Sequence, residues 1–167
     1  MSRYLCIILF FLTASNHSFA QAVSNKMNTV FVELGGNGLF LSANFERQIF
    51  KMTPLNIHVG VGIYGITSSY VTLPFGINYL LKLRNTNSCI DIGFGATYTK
   101  ADVKLYSIVE HRDRDNNYIN SNFINIIPSI GIRHQTNKNY MYRFSFTPVF
   151  NQYDGLPYVG FSIGKSF

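Results

Sequence analysis

From Leu55 to Tyr64 apolar and small polar residues alternate without a break. Leu55, Ile57, Val59, Val61 and Ile63 share one phase, and Asn56, His58, Gly60, Gly62 and Tyr64 the other. Successive side chains point to opposite faces in an extended strand, so a strict period of two argues for a strand and against a helix. The pattern recurs. Val71, Leu73, Phe75, Ile77 and Tyr79 alternate with Thr72, Pro74, Gly76 and Asn78, and Ile90, Ile92, Phe94, Ala96 and Tyr98 with Asp91, Gly93, Gly95, Thr97 and Thr99. Five looser segments complete the series. The first runs about Thr29 to Asn37, with Val30, Val32 and Leu34 opposite Glu33; the second sets Leu39, Leu41, Ala43 and Phe45 against Ser42, Asn44 and Glu46. The sixth places Ile124, Ile126, Ile130 and Ile132 opposite Asn125, Ser129 and Arg133, and the seventh Tyr140, Tyr142, Phe144 and Phe146 opposite Arg143, Ser145 and Thr147. In the eighth, Val159, Phe161, Ile163 and Phe167 are in phase up to the last residue.

Periodicity alone does not say which phase points outward; a lipocalin-like soluble barrel would turn the apolar phase in. The composition of the other phase decides. It is rich in Gly, Ser, Thr and Asn, which fit a narrow barrel interior, and poor in the long charged side chains of a water-facing exterior. Each segment is about the 9–11 residues a tilted transmembrane strand needs, and roughly eight strands is the smallest common outer-membrane barrel. The expected fold is therefore all-β: an eight-stranded antiparallel up-and-down transmembrane β-barrel over residues 29–167. Pro74, Pro128 and Pro148 fall inside segments and are expected at bulges or strand ends.

With the N-terminus in the periplasm, odd segments run outward. Tyr98 then lies at an outer end in the lipid-facing phase, and Tyr79, Tyr140, Tyr142 and Phe167 lie at periplasmic ends. That distribution fits the aromatic girdles of such barrels. Lys165 interrupts the last lipid-facing series at the interface, where its ammonium can snorkel to water. The connections Arg84 to Ser88 and Gln135 to Asn139 are short and polar, as periplasmic turns should be. The longest, roughly Ala101 to Ser121, falls outside and carries the mixed-sign run Glu110, His111, Arg112, Asp113, Arg114 and Asp115. That run reads either as a solvated loop or as a partner or ligand site.

Residues 1–22 read as a secretory signal peptide. Arg3 precedes an apolar run from Tyr4 to Leu12, and both Ser18-Phe19-Ala20 and Ala20-Gln21-Ala22 fit the cleavage rule, which places cleavage after residue 20 or 22. The run is far shorter than the roughly 20 residues a spanning helix needs. Residues 23–28 form a short periplasmic segment. Export by the Sec pathway would remove Cys6 and leave Cys89 as the single mature cysteine, so no intramolecular disulfide is expected. No cofactor or metal site is expected. The net charge of +6 is scattered and fits anionic lipid headgroups better than nucleic acid, which is not an expected partner. The mature chain, roughly 145 residues, is the size of one domain and is expected to be monomeric.

The closing segment Tyr158 to Phe167 resembles the last strand of bacterial outer-membrane barrels, whose C-terminal aromatic is read by the barrel assembly machinery. Phe167, with Phe161 and Ile163, is the expected assembly signal. More specifically, Glu33-Leu34-Gly35-Gly36-Asn37-Gly38 followed by Ser42-Ala43-Asn44-Phe45-Glu46-Arg47 resembles a family of small outer-membrane barrels of the Bacteroidota. So do Leu73-Pro74-Phe75-Gly76-Ile77-Asn78-Tyr79-Leu80 and the close Gly160-Phe161-Ser162-Ile163-Gly164-Lys165-Ser166-Phe167. The resemblance implies a barrel in the outer membrane of a Gram-negative cell, in contact with lipid and lipopolysaccharide. It implies no catalytic residues.

The inward phase carries Glu33, Glu46, Asp91, Arg133 and Arg143, all expected in the periplasmic half. Asp91 and Arg133 on neighbouring strands can pair, and a buried charge needs a partner. These five are expected to form a salt-bridged plug, and the protein to act as a structural or binding barrel through its outer loops, with a possible envelope partner. The alternative is a lipid-modifying enzyme of the lipid A acyl hydrolase type. Its candidates, His111 with Glu110 and Ser107, and Ser68 and Ser69, are common residues in loops. No His-x-Ser pair stands on a strand, as it would in the lipid A deacylases. Gly35-Gly36-Asn37-Gly38 lacks a following helix to hold an anion and reads as a tight hairpin turn.

Overall fold

The computed structural model describes residues 27–50, 53–65, 70–84, 86–99, 123–150 and 155–167. Its strands are β1 (Asn28–Gly35), β2 (Leu41–Phe50), β3 (Thr53–Tyr64), β4 (Tyr70–Lys82), β5 (Ser88–Thr99), β6 (Phe123–Gln135), β7 (Tyr140–Phe146), β8 (Val149–Phe150), β9 (Gly155–Leu156) and β10 (Val159–Ser166). Short β8 continues β7, and β9 leads into β10, so the ten pieces make eight staves. Every stave is antiparallel to the next. The first and last staves close the barrel along a ladder from Thr29↔Ser166 to Gly35↔Gly160. At its foot Asn28 and Phe167 exchange both backbone hydrogen bonds, at 3.2 and 2.8 Å. Closure leaves no free sheet edge.

The barrel is apolar outside and polar inside. Val59 and Val61 are 58% and 55% exposed, while Asn56 and His58 beside them are 4% and 5%. Outward residues of all the long strands behave alike, including Val30, Phe45, Ile77, Phe94, Ile132, Phe144 and Phe161. Such a surface is stable in hydrocarbon, where a closed barrel satisfies every backbone hydrogen bond internally. Among the described residues no helix is long and apolar enough to cross a membrane. The apolar surface is carried by strands instead, and the expected eight-stranded antiparallel barrel holds.

The prolines behave differently from one another. Pro74 and Pro128 remain inside β4 and β6, and Pro148 breaks the seventh stave. The register that pairs Ile130 with Phe146 and Ile126 with Phe150 puts Pro128 across from Pro148. Neither residue has an N–H to donate, so the ladder skips at that level. Thr147 N–H bonds instead to the Tyr158 carbonyl on the other side, at 2.8 Å.

Gly35 to Phe40 is not the tight hairpin turn that Asn-Gly suggested. After Leu34↔Leu41 the chain enters a 3-10 turn, Gly36–Gly38, whose residues are all buried. The connection folds into the lumen as a lid. Leu39, expected to face lipid, is 1% exposed and adopts φ 72°. A bulky residue rarely takes that conformation; here its side chain packs with buried Ile127 and Val149, against Tyr64 and Tyr158. Apolar packing thus anchors the lid at one end of the lumen, and the paired residues Asn28 and Phe167 mark the opposite rim.

Candidate functional site

Five charged side chains from five strands meet inside the barrel. Arg133 on β6 donates from Nη1 and Nη2 to the two carboxylate oxygens of Glu46 on β2, at 2.6 and 2.7 Å. Its Nη2 also lies 3.0 Å from Asp91 on β5. Asp91 continues to Nη1 of Arg143 on β7 at 3.5 Å, and Arg143 Nη2 donates to Glu33 on β1 at 2.7 Å. The order Glu46, Arg133, Asp91, Arg143, Glu33 alternates in sign from end to end. Each side chain is at most 5% exposed.

The strands dictate this arrangement. Arg133 and Arg143 are direct cross-strand partners, an unfavourable juxtaposition of like charges unless carboxylates intervene. Asp91 lies within reach of both. Asn78 donates to Asp91 at 2.5 Å, and Asn56 to Glu46 at 3.1 Å. Ser162 on β10 accepts from Arg143 Nε at 3.2 Å and donates to Glu33 at 3.1 Å. Two inward rings add to the packing. The Phe31 ring lies 4.8 Å from the Arg143 guanidinium carbon, a cation–π contact, and meets His58 edge-on at 6.5 Å.

Glu33 joins the cluster to the lid. One oxygen holds Arg143, and the other accepts the Asn37 backbone N–H at 3.0 Å. Asn37 Nδ2 lies 3.0 Å from His58 Nε2, and its carbonyl accepts from the Thr97 hydroxyl. Thr72 donates to the Gly38 carbonyl at 3.1 Å, and Tyr158 to that of Leu39. Gly36 explains why a glycine is needed: at φ +62° a Cβ would come within 2.5 Å of the Glu33 carboxyl carbon. The lid, the Leu39–Ile127–Val149 cluster and the charge ladder together fill the interior.

The structure brings together the five charged residues named from the inward phase. Asp91, Arg133, Arg143 and Glu46 sit toward the chain-terminus ends of their strands. Glu33, sixth of the eight residues of β1, sits nearer the lid, because β1 is short and the lid turns down upon it. Sequence reasoning missed the apolar inward residues Phe31, Leu39, Ile127, Met141 and Val149, and the reach of Arg133 across to Glu46. Phe31 was readable, since it shares the phase of Glu33. The other pairing depends on register around the whole barrel.

Phe161, Ile163 and Phe167 all face outward, at 48%, 46% and 57% exposure. Tyr79, Tyr140 and Tyr142 are likewise exposed near the terminus rim, with the Lys165 ammonium 5.6 Å from the Tyr140 ring centre. Glu110, His111, Arg112, Asp113, Arg114 and Asp115 lie outside the described residues, as do Ser68, Ser69 and Ser107 and the segment expected to be the signal peptide. One Ser–His contact is present elsewhere, Ser88 Oγ to His134 Nδ1 at 2.9 Å on the rim. Among the described residues no carboxylate hydrogen-bonds His134, so the pair lacks the third group that orients a catalytic base. No cluster of described residues could hold a metal ion.

No family model matches the chain, and no curated protein matches it. Two solved structures match its fold. The N-terminal β-barrel domain of Pseudomonas aeruginosa OprF superposes with a TM-score of 0.53 at 11% identity, over 84% of this chain and 95% of that one. Yersinia pestis outer membrane protein Ail, determined in a phospholipid bilayer nanodisc, superposes with a TM-score of 0.51 at 7% identity, over 86% of this chain and 100% of that one. The chain has the fold of the small outer-membrane β-barrels. At these identities the likeness concerns the fold alone.

Proposed function

We propose that this protein is an integral outer-membrane β-barrel with a closed lumen, which works through what it presents outside the membrane. In this reading the terminus rim faces the periplasm, and the lid and the long connection 100–122 face outward. The barrel anchors those loops as a structural element or as a binding platform for a ligand or an envelope partner. The observation that carries the reading is the Arg133–Glu46 clamp across the lumen, with the lid folded above it. Eight-stranded interiors are filled by side chains in any case; here the filling is charged, paired and tied to the lid, so it resists displacement by water.

Two measurements test the reading together. The purified barrel in planar bilayers should give no conductance steps above background. Replacing residues 101–121 by a short Gly-Ser connection should leave the barrel folded and heat-modifiable but remove any partner that copurifies from solubilised envelopes. Steady unitary conductance of the unmodified barrel would defeat the closed-lumen reading. Retention of the same partner by the loop-replaced barrel would defeat the platform reading.

A further inference from the structure

The outward side of β10 carries a single charge. Val159, Phe161, Ile163, Lys165 and Phe167 share the outward phase, and all but Lys165 are apolar. The cross-strand neighbours of Lys165 are Val30 on β1 and Tyr140 on β7, both outward. Its ammonium lies 5.6 Å from the centre of the Tyr140 ring, so an aromatic face holds the cation. Tyr142, opposite Ile163, presents a second phenol on the same face. Next to Tyr142 stands His134 on β6, with Nδ1 2.9 Å from Ser88 Oγ on β5. A band of polar groups thus crosses four strands at the rim marked by Asn28 and Phe167. Farther from that rim the same face is apolar, through the cross-strand neighbours Phe161, Phe144 and Ile132.

The rim around this band has one sign. Arg47, Arg84, Lys138 and Lys165 are exposed there, whereas the three described acids, Glu33, Glu46 and Asp91, are buried in the lumen. No Asp or Glu occurs in residues 47–90 or 134–153. Asp102, Glu110, Asp113, Asp115 and Asp154 fall in the connections 100–122 and 151–154, outside the described residues.

Charge and surface together select the ligand. A free anion gains nothing from the apolar face beside Lys165, and an apolar partner gains nothing from the ammonium. An amphiphile with an anionic head and a hydrocarbon tail uses both. We propose that the outward face of β7 and β10 at this rim holds one anionic glycerophospholipid. Its phosphate lies against the Lys165 ammonium and the Tyr140 and Tyr142 hydroxyls, and its acyl chains run along Phe144 and Phe161. The contact with the Tyr140 ring keeps the ammonium at headgroup height, where interfacial tyrosines also sit. The choice of phospholipid rests on the function proposed above, in which this rim faces the periplasm.

The test uses the full mature barrel in a neutral detergent and native mass spectrometry, with phosphatidylglycerol, phosphatidylcholine or lipopolysaccharide titrated in. Each barrel should retain one phosphatidylglycerol molecule at concentrations at which phosphatidylcholine is not retained. Lys165→Met, which keeps an unbranched apolar side chain, should weaken that binding by about tenfold. Arg84→Met, which removes a cation from another part of the rim, should leave it within about twofold. Heat-modifiable mobility verifies that each variant is folded. Equal retention of phosphatidylglycerol and phosphatidylcholine overturns the proposal. So does equal weakening by the two substitutions, which would leave only a diffuse cationic rim. Either failure leaves the closed lumen and the outer loops as proposed. Retention of lipopolysaccharide alone, lost in Lys165→Met, overturns the phospholipid assignment and the orientation of the barrel with it.

Discussion

Arg133 clasps Glu46 across the full width of the barrel, with two hydrogen bonds of 2.6 and 2.7 Å between strands four staves apart. Cross-lumen contacts do not follow from strand pairing; they tie opposite walls. Removing one partner strands a buried charge, which costs about 3–5 kcal/mol. Arg133→Met should therefore lower barrel stability by that amount in urea unfolding from phospholipid vesicles. Arg133→Met with Glu46→Leu should cost less than the sum of the single changes by at least about 1 kcal/mol, since neither buried charge is then orphaned. Additive effects would show that the clamp is incidental.

The lid depends on a position where only glycine fits. Gly36→Ala forces a left-handed backbone on a residue with a Cβ and pushes it against Glu33. A cost of about 1–3 kcal/mol is expected, concentrated in the lid. Hydrogen exchange should report it: the Asn37 amide, bonded to Glu33 at 3.0 Å, should lose protection while amides of β4 and β5 keep theirs. Unchanged protection at Asn37 would mean that the lid is held by Leu39 packing alone.

Much of the barrel was legible because one rule governs it. In Leu55 to Tyr64 the phase of each residue follows from its neighbours, and the small polar composition of the second phase told inside from outside. The same rule placed Asp91, Arg133 and Arg143 in the lumen. It failed where the chain leaves the strand. The alternation of β2, extended backwards, puts Leu39 outward, but it runs there through a turn that has no period of two. Ile127 and Val149 are apolar on an inward phase because they pack against the lid, and nothing local announces a lid. The partner of Arg133 was beyond local reasoning for another reason. A strand pattern contains the face of each residue but not the height at which opposite walls meet.

The lipid-facing belt makes a graded prediction. Ile77 and Tyr79 both point outward from β4, at 48% and 42% exposure, but Tyr79 stands closer to the terminus rim. An arginine near the bilayer middle of such a barrel costs about 2–4 kcal/mol and near an interface about 0–1 kcal/mol. Ile77→Arg should thus be clearly more damaging than Tyr79→Arg when folding into phospholipid vesicles is measured. Equal costs would indicate that the belt is placed wrongly along the barrel axis.

Phe167 stands at the seam of the barrel. Its backbone exchanges two hydrogen bonds with Asn28, while its ring faces outward in phase with Phe161 and Ile163. Those bonds form one terminal pair of a ladder that runs from Thr29 to Gly35, so losing them should barely affect the folded barrel. An exposed aromatic at that point has a different use if it is read during assembly. Deleting Phe167 should accordingly separate two measurements. Refolding of the purified chain into detergent should proceed with a stability loss within about 1 kcal/mol, as expected for a frayed terminal pair. In cells the shortened chain should be exported and processed but recovered from the outer-membrane fraction at a small part of the normal level, and Phe167→Tyr should restore it. Equal impairment in detergent and in cells would make Phe167 a structural residue of the seam, and normal insertion in cells would remove its role as a signal.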